Sequence, residues 1–131
     1  MSIPSSKPLG DLERAVMEVV WEGPDDGLLV REVLAALTDR DLAYTTVMTV
    51  LSRLAEKEFL KRVRDGRAWR YQATSSREQV TARAMRGPLD DLDEDARRAA
   101  ILHFIDGASR DELTELKAAL ADVERRAGDN G

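Results

Sequence analysis

The run Ala43-Tyr44-Thr45-Thr46-Val47-Met48-Thr49-Val50-Leu51-Ser52-Arg53-Leu54-Ala55-Glu56-Lys57 decides the fold that we predict for this chain of 131 residues. Its aliphatic residues recur at helical spacing, which predicts one apolar face packed on a core. The opposite face carries hydroxyls, a thioether and a guanidinium, with no acid before Glu56. Such groups suit base edges and phosphates, because threonine can donate or accept hydrogen bonds and its methyl group can contact thymine. The residues expected to point outward are Thr45, Thr46, Met48, Thr49, Ser52 and Arg53.

Two short β-type runs follow this helix, Phe59–Arg64 and Arg67–Gln72. Asp65-Gly66 joins them, and this dipeptide between such runs is a strong signal for a β-hairpin. Arg64 and Arg67 flank the expected tip, where they can reach a phosphate or the minor groove. Alternation along the two runs predicts which side chains face the core. The residues expected to point inward are Leu60, Trp69 and Tyr71.

The net charge of −5 is distributed unevenly along the chain. Residues 40–77 carry 9 basic and 4 acidic groups, whereas residues 1–39 carry 3 and 8, and residues 78–131 carry 8 and 13. The excess of positive charge is therefore confined to the helix and hairpin, and a local basic stripe is what contact with phosphate needs. The basic groups expected to face phosphate are Arg53, Lys57, Lys61, Arg62, Arg64, Arg67 and Arg70.

The composition excludes several classes of protein. The chain has no cysteine and one histidine, which predicts no disulfide, no metal site and no cofactor. It lacks a glycine-rich phosphate loop and its carboxylates are scattered, so we expect no enzyme. No apolar run approaches the roughly 20 residues that cross a bilayer, and the N-terminus resembles no signal peptide. The sequence therefore predicts a cytoplasmic protein without membrane insertion.

The first part of the chain predicts two further helices and a short strand. A helix with one apolar face is expected over Asp11–Glu22, followed by a break at Gly23–Gly27. Leu28-Leu29 would form a minimal strand, and a helix of little more than two turns would follow over Val30–Leu37. Leu29 is a poor capping residue for that helix, so we expect tertiary packing to hold its start.

The sequence beyond the hairpin predicts three more helices. Ser76-x-x-Gln79 is a capping box that opens the first, and Gly87-Pro88 is expected to end it. The run Ala99–Ile105 is apolar at six of seven positions, which predicts a helix buried on more than one side. Ser109-x-x-Glu112 opens the last helix, whose apolar residues alternate spacings of three and four as in a short coiled coil. Those residues are Leu113, Leu116, Leu120, Val123 and Ala127.

These C-terminal helices have apolar faces but little room to bury them within one chain. That favours pairing with a second copy, because closed two-fold dimers are the commonest solution. The alternative is that the helices cap the N-terminal domain of the same chain. The residues expected at a dimer interface are Ile101, Phe104, Ile105, Leu113, Leu116, Leu120 and Val123.

Helix, short strand, helix, turn, helix and hairpin is the order of a winged helix-turn-helix, in which the third helix enters the major groove of DNA. The predicted fold is mostly α with a small β-hairpin: a winged helix-turn-helix DNA-binding domain plus a C-terminal helical dimerisation region. The predicted divisions are a flexible lead (1–8), the winged domain (9–75), the helical dimerisation domain (76–127) and a flexible tail (128–131).

Four stretches carry a resemblance to a known family: Leu9–Trp21, Val30–Val33, Leu42–Leu54 and Asp65–Tyr71. Together they resemble the penicillinase-repressor family, the BlaI and MecI type of regulator, and particularly its actinobacterial members. The resemblance covers about residues 9–126. It implies a homodimeric transcriptional repressor of double-stranded, inverted-repeat operator DNA. In this chain the DNA contacts of the family's third helix carry over to Thr45, Thr46, Met48, Thr49 and Arg53.

The resemblance also implies how such a repressor is regulated. It implies control of β-lactamase or related stress genes, and release when a membrane-bound β-lactam sensor protease system leads to cleavage of the repressor. The family's Asn-Phe cleavage site aligns here with His103-Phe104, so the histidine departs from the family pattern. The lack of cysteine separates the chain from the copper-responsive branch. One alternative is a winged-helix regulator that binds a small molecule in a pocket around residues 101–105. Another is a winged-helix domain that contacts protein and no DNA, although the threonine-lined, acid-free helix face argues against it.

Overall fold

A computed structural model describes residues 9–130, and the expected lead over residues 1–8 lies outside them. The described chain forms two compact units, one ending at Pro88 and the other beginning at Leu89. The predicted fold, mostly α with a small β component, is confirmed over these residues. The elements are α1 (Asp11–Glu22), β1 (Leu28–Leu29), α2 (Val30–Ala36), α3 (Tyr44–Glu56), β2 (Leu60–Asp65), β3 (Ala68–Ala73), α4 (Arg77–Asp90), α5 (Glu94–Asp106) and α6 (Arg110–Asn130).

The apolar faces of α1, α2 and α3 meet in one core, which the base of the β2–β3 hairpin completes. α1 begins and ends at the residues that the periodicity predicted. Each core side chain is at most 9% exposed, and burying one such group fully contributes about 1.5–3 kcal/mol. The core consists of Val16, Met17, Val20, Val30, Val33, Leu37, Val47, Val50, Leu51, Leu54, Phe59, Leu60 and Tyr71.

The strands form a three-stranded antiparallel sheet in the order β1-β3-β2. The predicted minimal strand is present, and Leu28 lies opposite Tyr71 of β3. Gly27, which precedes it, has a φ of +92°, and a Cβ at this position would lie 2.6 Å from the carbonyl oxygen of Tyr71. Only glycine fits there, because both the backbone angle and the close approach exclude a side chain.

The hairpin turn lies one residue further along than predicted. Asp65 pairs with Ala68, so the two loop residues are Gly66 and Arg67 rather than Asp65 and Gly66. Gly66 has a φ of +62°, and Arg67 is not among the described residues with positive φ. A positive φ at the first loop position alone is the pattern of a type II′ turn, which places glycine first.

The start of α2 is held differently from the expectation. Leu29 is the cap residue as predicted, and its side chain offers no hydrogen bond. A carboxylate oxygen of Glu32 accepts a 2.7 Å hydrogen bond from the backbone N–H of Leu29. One half of a capping box therefore satisfies this helix end, where packing alone was expected.

α4 opens as predicted but ends later. The N–H of Ser76 donates to Gln79 Oε1 at 2.8 Å, and the N–H of Gln79 donates to Ser76 Oγ at 3.1 Å, which confirms the capping box. The helix then passes through Gly87-Pro88 and ends at Asp90, so the predicted end is wrong. Proline has a helical φ but removes one backbone donor, and its ring crowds the carbonyl four residues earlier, so the disturbance falls on the last turn of the helix.

The second unit consists of α5 and α6, each closed by a cap at its start. Asp93 accepts a 2.8 Å hydrogen bond from the N–H of Ala96. Ser109 and Glu112 form the predicted capping box, and the hydrogen bonds from Ser109 lower the pKa of Glu112. α6 continues to Asn130, beyond residue 128 where the pattern predicted a tail. Across residues 9–130, no helix combines the length and apolar character needed to cross a membrane.

Candidate nucleic-acid interface

α3 presents a polar, acid-free face to solvent. Val47 and Leu51 on its inner face are fully buried, which fixes the rotation of the helix about its axis. No acidic residue lies in its first turn, whereas α1, α2, α4, α5 and α6 each have one there. The outward candidates are exposed in the structure: Thr45, Thr46, Met48, Thr49 and Arg53.

The hydroxyl group of Thr49 donates a hydrogen bond within α3. Its Oγ1 donates a 2.8 Å hydrogen bond to the carbonyl oxygen of Thr45, one turn earlier. What Thr49 offers to an external partner is therefore its methyl group and the lone pairs of its oxygen. A methyl group can contact thymine, and an acceptor oxygen can receive a hydrogen bond from the amino group of adenine or cytosine.

The N-terminus of α3 is left open to solvent. Its cap residue, Ala43, has no side-chain acceptor for the first N–H groups. Unpaired N–H groups and the positive end of the helix dipole favour an anion at this position. Tyr44 lies in this first turn and is 49% exposed, although the sequence analysis did not single it out. The missing acid in the first turn was the signal that could have identified this end.

The α3–β2 connection fixes where the hairpin begins. The N–H of Phe59 donates to the carbonyl of Leu54 at 2.9 Å, and the N–H of Glu58 donates to that of Ala55 at 3.0 Å. This pair of bonds is a Schellman motif, in which the residue after the cap takes a left-handed conformation. That residue is Glu58, with a φ of +69°. The buried Phe59 then anchors the start of the hairpin in the core.

The hairpin forms a basic wing beside α3, and one residue on its core-facing side is more exposed than expected. Trp69 was predicted to point into the core and is 40% exposed, so that prediction is wrong. Leu60 and Tyr71 lie at the base of the hairpin, where the core reaches, whereas Trp69 lies nearer the tip. The guanidinium carbons of Arg62 and Arg64 lie 5.7 Å and 4.8 Å from the centroid of the indole ring.

Two of the basic groups expected to face phosphate are bound within the protein instead. Arg70 donates to Asp65 at 2.7 Å and to the carbonyl of Gly27 at 3.1 Å, and the hydrogen bond to Asp65 raises its pKa. Lys57 donates to a carboxylate oxygen of Glu13 at 2.8 Å. The bonds from Lys57 to Glu13 and from Arg70 to Gly27 join residues far apart in the sequence, so no sequence pattern predicted them. The basic groups without a described ion pair are Arg53, Lys61, Arg62, Arg64 and Arg67.

The candidate dimerisation residues lie on α5 and α6, where no described side chain is buried. The sequence predicted that α5 is buried on more than one side, but within the single chain it is not. Leu113 is half-buried and the others are exposed: Ile101, Phe104, Ile105, Leu116, Leu120 and Val123. His103 and Phe104, the candidate cleavage pair, lie inside α5 and are also exposed. A small-molecule pocket around residues 101–105 stays a prediction.

Comparison with known proteins identifies related sequences over nearly the whole chain. Residues 9–122 match the sequence model of a family described as penicillinase repressor. Two relatives from two strains of Mycobacterium tuberculosis, both named transcriptional regulator BlaI, are 45% identical over 122 residues. The alignment covers 92% of this chain and 88% of each relative.

Solved structures resemble the chain more distantly. The DNA-binding domain of the repressor BlaI in solution is 24% identical, covers 59% of this chain and 93% of that domain, and has a TM-score of 0.49. The monomeric form of Bacillus licheniformis BlaI, solved in complex with the blaP half-operator, is 24% identical, has the same coverage and a TM-score of 0.47.

Proposed function

Because the chain belongs to the penicillinase repressor family, we propose that it is a homodimeric transcriptional repressor that binds inverted-repeat operator DNA. The family consists of transcriptional repressors, which are not enzymes, as the composition predicted. The observation that carries the proposal is the exposed, acid-free face of α3 beside a basic wing. A cytoplasmic location stays a prediction.

The proposed DNA contacts divide into two kinds. Four side chains on the outward face of α3 would face base edges in the major groove: Thr45, Thr46, Met48 and Thr49. Short side chains on a helix whose inner face is packed on the core can approach the bases closely. Arg53, Arg64 and Arg67 would contact phosphates, since guanidinium groups bind phosphate and carry no sequence information there. The open N-terminus of α3 supports this arrangement, because it offers backbone donors to a further phosphate.

The proposed dimer rests on the unpartnered apolar surface of the second unit. Phe104 is 57% exposed and Leu120 is 60% exposed in the single chain. On each helix the exposed apolar residues recur every three or four positions and so form an apolar stripe. Large exposed apolar patches are rare on monomeric soluble proteins and usually mark an interface. A second copy is the occupant that an inverted-repeat operator requires, because each half-site needs its own α3.

The proposed regulation is control of β-lactamase or related stress genes, relieved by cleavage at or near His103-Phe104. A membrane-bound β-lactam sensor protease system would supply the signal. The bond lies near the C-terminal end of α5, where the carbonyl of His103 accepts a 3.2 Å hydrogen bond from Gly107. A protease needs extended chain, so cleavage would follow local opening of this last turn. Cutting there would separate α6 from the rest of the chain and weaken the dimer.

DNA binding is tested by titrating the full chain with an inverted-repeat duplex at several salt concentrations. The five basic side chains of α3 and the hairpin that have no described ion pair give ten such groups in a dimer. We expect roughly six to ten phosphate contacts and a log-log salt slope of about −5 to −9. A slope near zero would remove the proposal. Footprinting of bound sites on the source genome would then identify the regulated genes.

Cleavage is tested by mass spectrometry of the protein recovered from cells exposed to a β-lactam. We expect fragments that end and begin near His103-Phe104 in parallel with derepression. A His103→Asn variant provides the matched comparison, because it restores the Asn-Phe pair that the family resemblance implies and His103 is not among the proposed interface residues; it should be cleaved at least as readily. Derepression with every molecule intact would show that this chain is released by another route.

A further inference from the structure

Trp69 shares a face of the hairpin with two core residues but lies outside the core. The strand register places Leu60, Tyr71 and Trp69 on the same face, in that order towards the tip. Leu60 is 2% exposed and Tyr71 3%, whereas Trp69 is 40% exposed. Because the hydrophobic effect scales with buried area, Trp69 gains only part of the stability that a core position would give. Its place on the wing needs another physical reason.

The exposed indole is covered by guanidinium groups. Arg64 is its direct cross-strand neighbour and Arg62 its diagonal neighbour, with guanidinium carbons 4.8 Å and 5.7 Å from the ring centroid. Both distances lie within the range of cation–π attraction. When a guanidinium stacks on a ring, the contact uses its flat face. Its N–H donors lie in the guanidinium plane and stay available at the edge.

The donors of these two arginines have no ion pair or hydrogen bond to any described residue. Arg77 makes a similar ring contact, with its guanidinium carbon 5.7 Å from the ring centroid of Trp21, but differs in its other partners. Arg77 is bound by Glu18 as well, so its donors are used within the fold. Asp65, the acid on the wing, is bound by Arg70, and the strand register places it on the opposite face from Arg62 and Arg64.

We propose that Trp69 is a positioning residue of the wing, which holds Arg62 and Arg64 with their donors ready for phosphates of the DNA backbone. The inference rests on the proposed DNA-binding function. A free arginine loses side-chain freedom when it binds a phosphate, whereas a stacked arginine has lost part of that freedom beforehand. Trp69 therefore strengthens binding without reading any base.

The test compares four full-length variants with the wild type on an operator duplex and an unrelated duplex. The variants are Trp69→Leu, Trp69→Phe, Arg64→Gln and the Trp69→Leu, Arg64→Gln double variant. We expect Trp69→Leu to weaken binding to both duplexes about tenfold, and Trp69→Phe to keep most of the affinity. Arg64→Gln should cost clearly less in the Trp69→Leu background than in the wild type, because the two residues act through each other.

Losses that simply add, or a Trp69→Leu loss confined to the operator duplex, would overturn this inference while leaving DNA binding in place. A wild type that binds neither duplex would overturn the proposed function and this inference with it.

A second measurement needs no DNA. In a Trp21→Phe background Trp69 is the only tryptophan, and replacing both Arg62 and Arg64 by glutamine should increase quenching of its fluorescence by acrylamide. Unchanged quenching would show that the arginines do not cover the ring in solution, and would overturn the inference even if Trp69→Leu failed to fold.

Discussion

The carboxylate of Glu13, on α1, accepts a 2.8 Å hydrogen bond from Nζ of Lys57, the cap residue at the end of α3. Burial raises the pKa of Glu13, but the hydrogen bonds from Lys57 and from the N–H of Gly10 outweigh burial, and the pKa lies below its ordinary value. The side chain of Glu13 is 17% exposed, so solvent screens this ion pair less than an open surface pair. The pair ties the first helix to α3 only while Glu13 is ionised.

The first prediction is a stability difference that depends on pH. The pKa of Glu13 is lower in the folded protein than in the unfolded chain, so its ion pair with Lys57 stabilises the fold fully above the unfolded pKa of 4.5. This stabilisation is lost as the pH falls through the folded pKa. We expect Glu13→Gln to destabilise the protein by about 0.5–1 kcal/mol at neutral pH and by much less near pH 3. Urea unfolding at both pH values measures this. Glu56→Gln, at an exposed position on α3, serves as the control, and an equal deficit at both pH values would contradict the assignment.

The second prediction concerns which atoms of Thr49 are read. The hydroxyl proton of Thr49 is donated to Thr45, so if the methyl group makes the contact, Thr49→Val should keep most of the operator affinity. A Thr49→Val loss as large as that of Thr49→Ala would instead show that the oxygen lone pairs are read. Thr49→Ala removes the methyl group too, and should cost about 1 kcal/mol per half-site at one base-pair position. Competition binding with single-substituted operators measures both.

Arg67→Ala is the matched comparison for this series. It should weaken binding to all duplexes alike, because a phosphate contact carries no sequence information. If Arg67→Ala changed the base preference and Thr49→Ala did not, the roles assigned to α3 and the wing would be reversed.

The third prediction concerns the proposed dimer. Leu120→Asp would place a charge in the apolar seam of α6, where desolvation makes it costly. We expect the variant to be monomeric at about ten micromolar and to bind a two-half-site operator much more weakly, because the half-sites are no longer linked. Ala118→Asp, exposed on the opposite side of the same helix, should remain dimeric. Sedimentation that shows the wild type monomeric at these concentrations would refute the dimer.

The fourth prediction tests the left-handed turn at the end of α3. Glu58 has a φ of +69°, which glycine adopts without strain and alanine does not. We expect Glu58→Gly to be more stable than Glu58→Ala by about 1 kcal/mol. Comparing these two variants removes any effect of the lost side chain, because both lack it. Thermal unfolding measures the difference. At Ala55, within α3, glycine should instead be less stable than alanine, because its helix propensity is lower.

The sequence predicted those parts of the fold that local patterns determine. Helical spacing gave the bounds of α1, and the Ser109-x-x-Glu112 capping box marked the start of α6. The sequence did not predict the features that depend on tertiary geometry. Alternation alone cannot tell how far along the hairpin the core extends, so Trp69 was placed inside. Nothing near Arg70 in sequence shows that the fold brings it to the carbonyl of Gly27.

The candidate site divides in the same way. The exposed polar face of α3 was predictable, because an amphipathic helix with a buried stripe has only one outward side. Two details were not predictable. The hydrogen bond from the Thr49 hydroxyl depends on a rotamer, and the ion pair of Lys57 with Glu13 depends on a partner that is distant in the sequence. The contacts that act on DNA, and the pairing of two copies, stay predictions that the experiments above decide.

The turn between α3 and β2 has a consequence for how such repressors diverge. Two backbone hydrogen bonds and the buried Phe59 leave α3 and the wing little freedom to move apart. If α3 reads bases and the wing contacts phosphate as proposed, substitutions on the outward face of α3 would change the preferred bases without altering the spacing between the two contacts. Insertions between Glu56 and Leu60 would disturb both at once. Relatives with this turn should therefore evolve new operator sequences through point substitutions, while the width of each half-site is inherited unchanged.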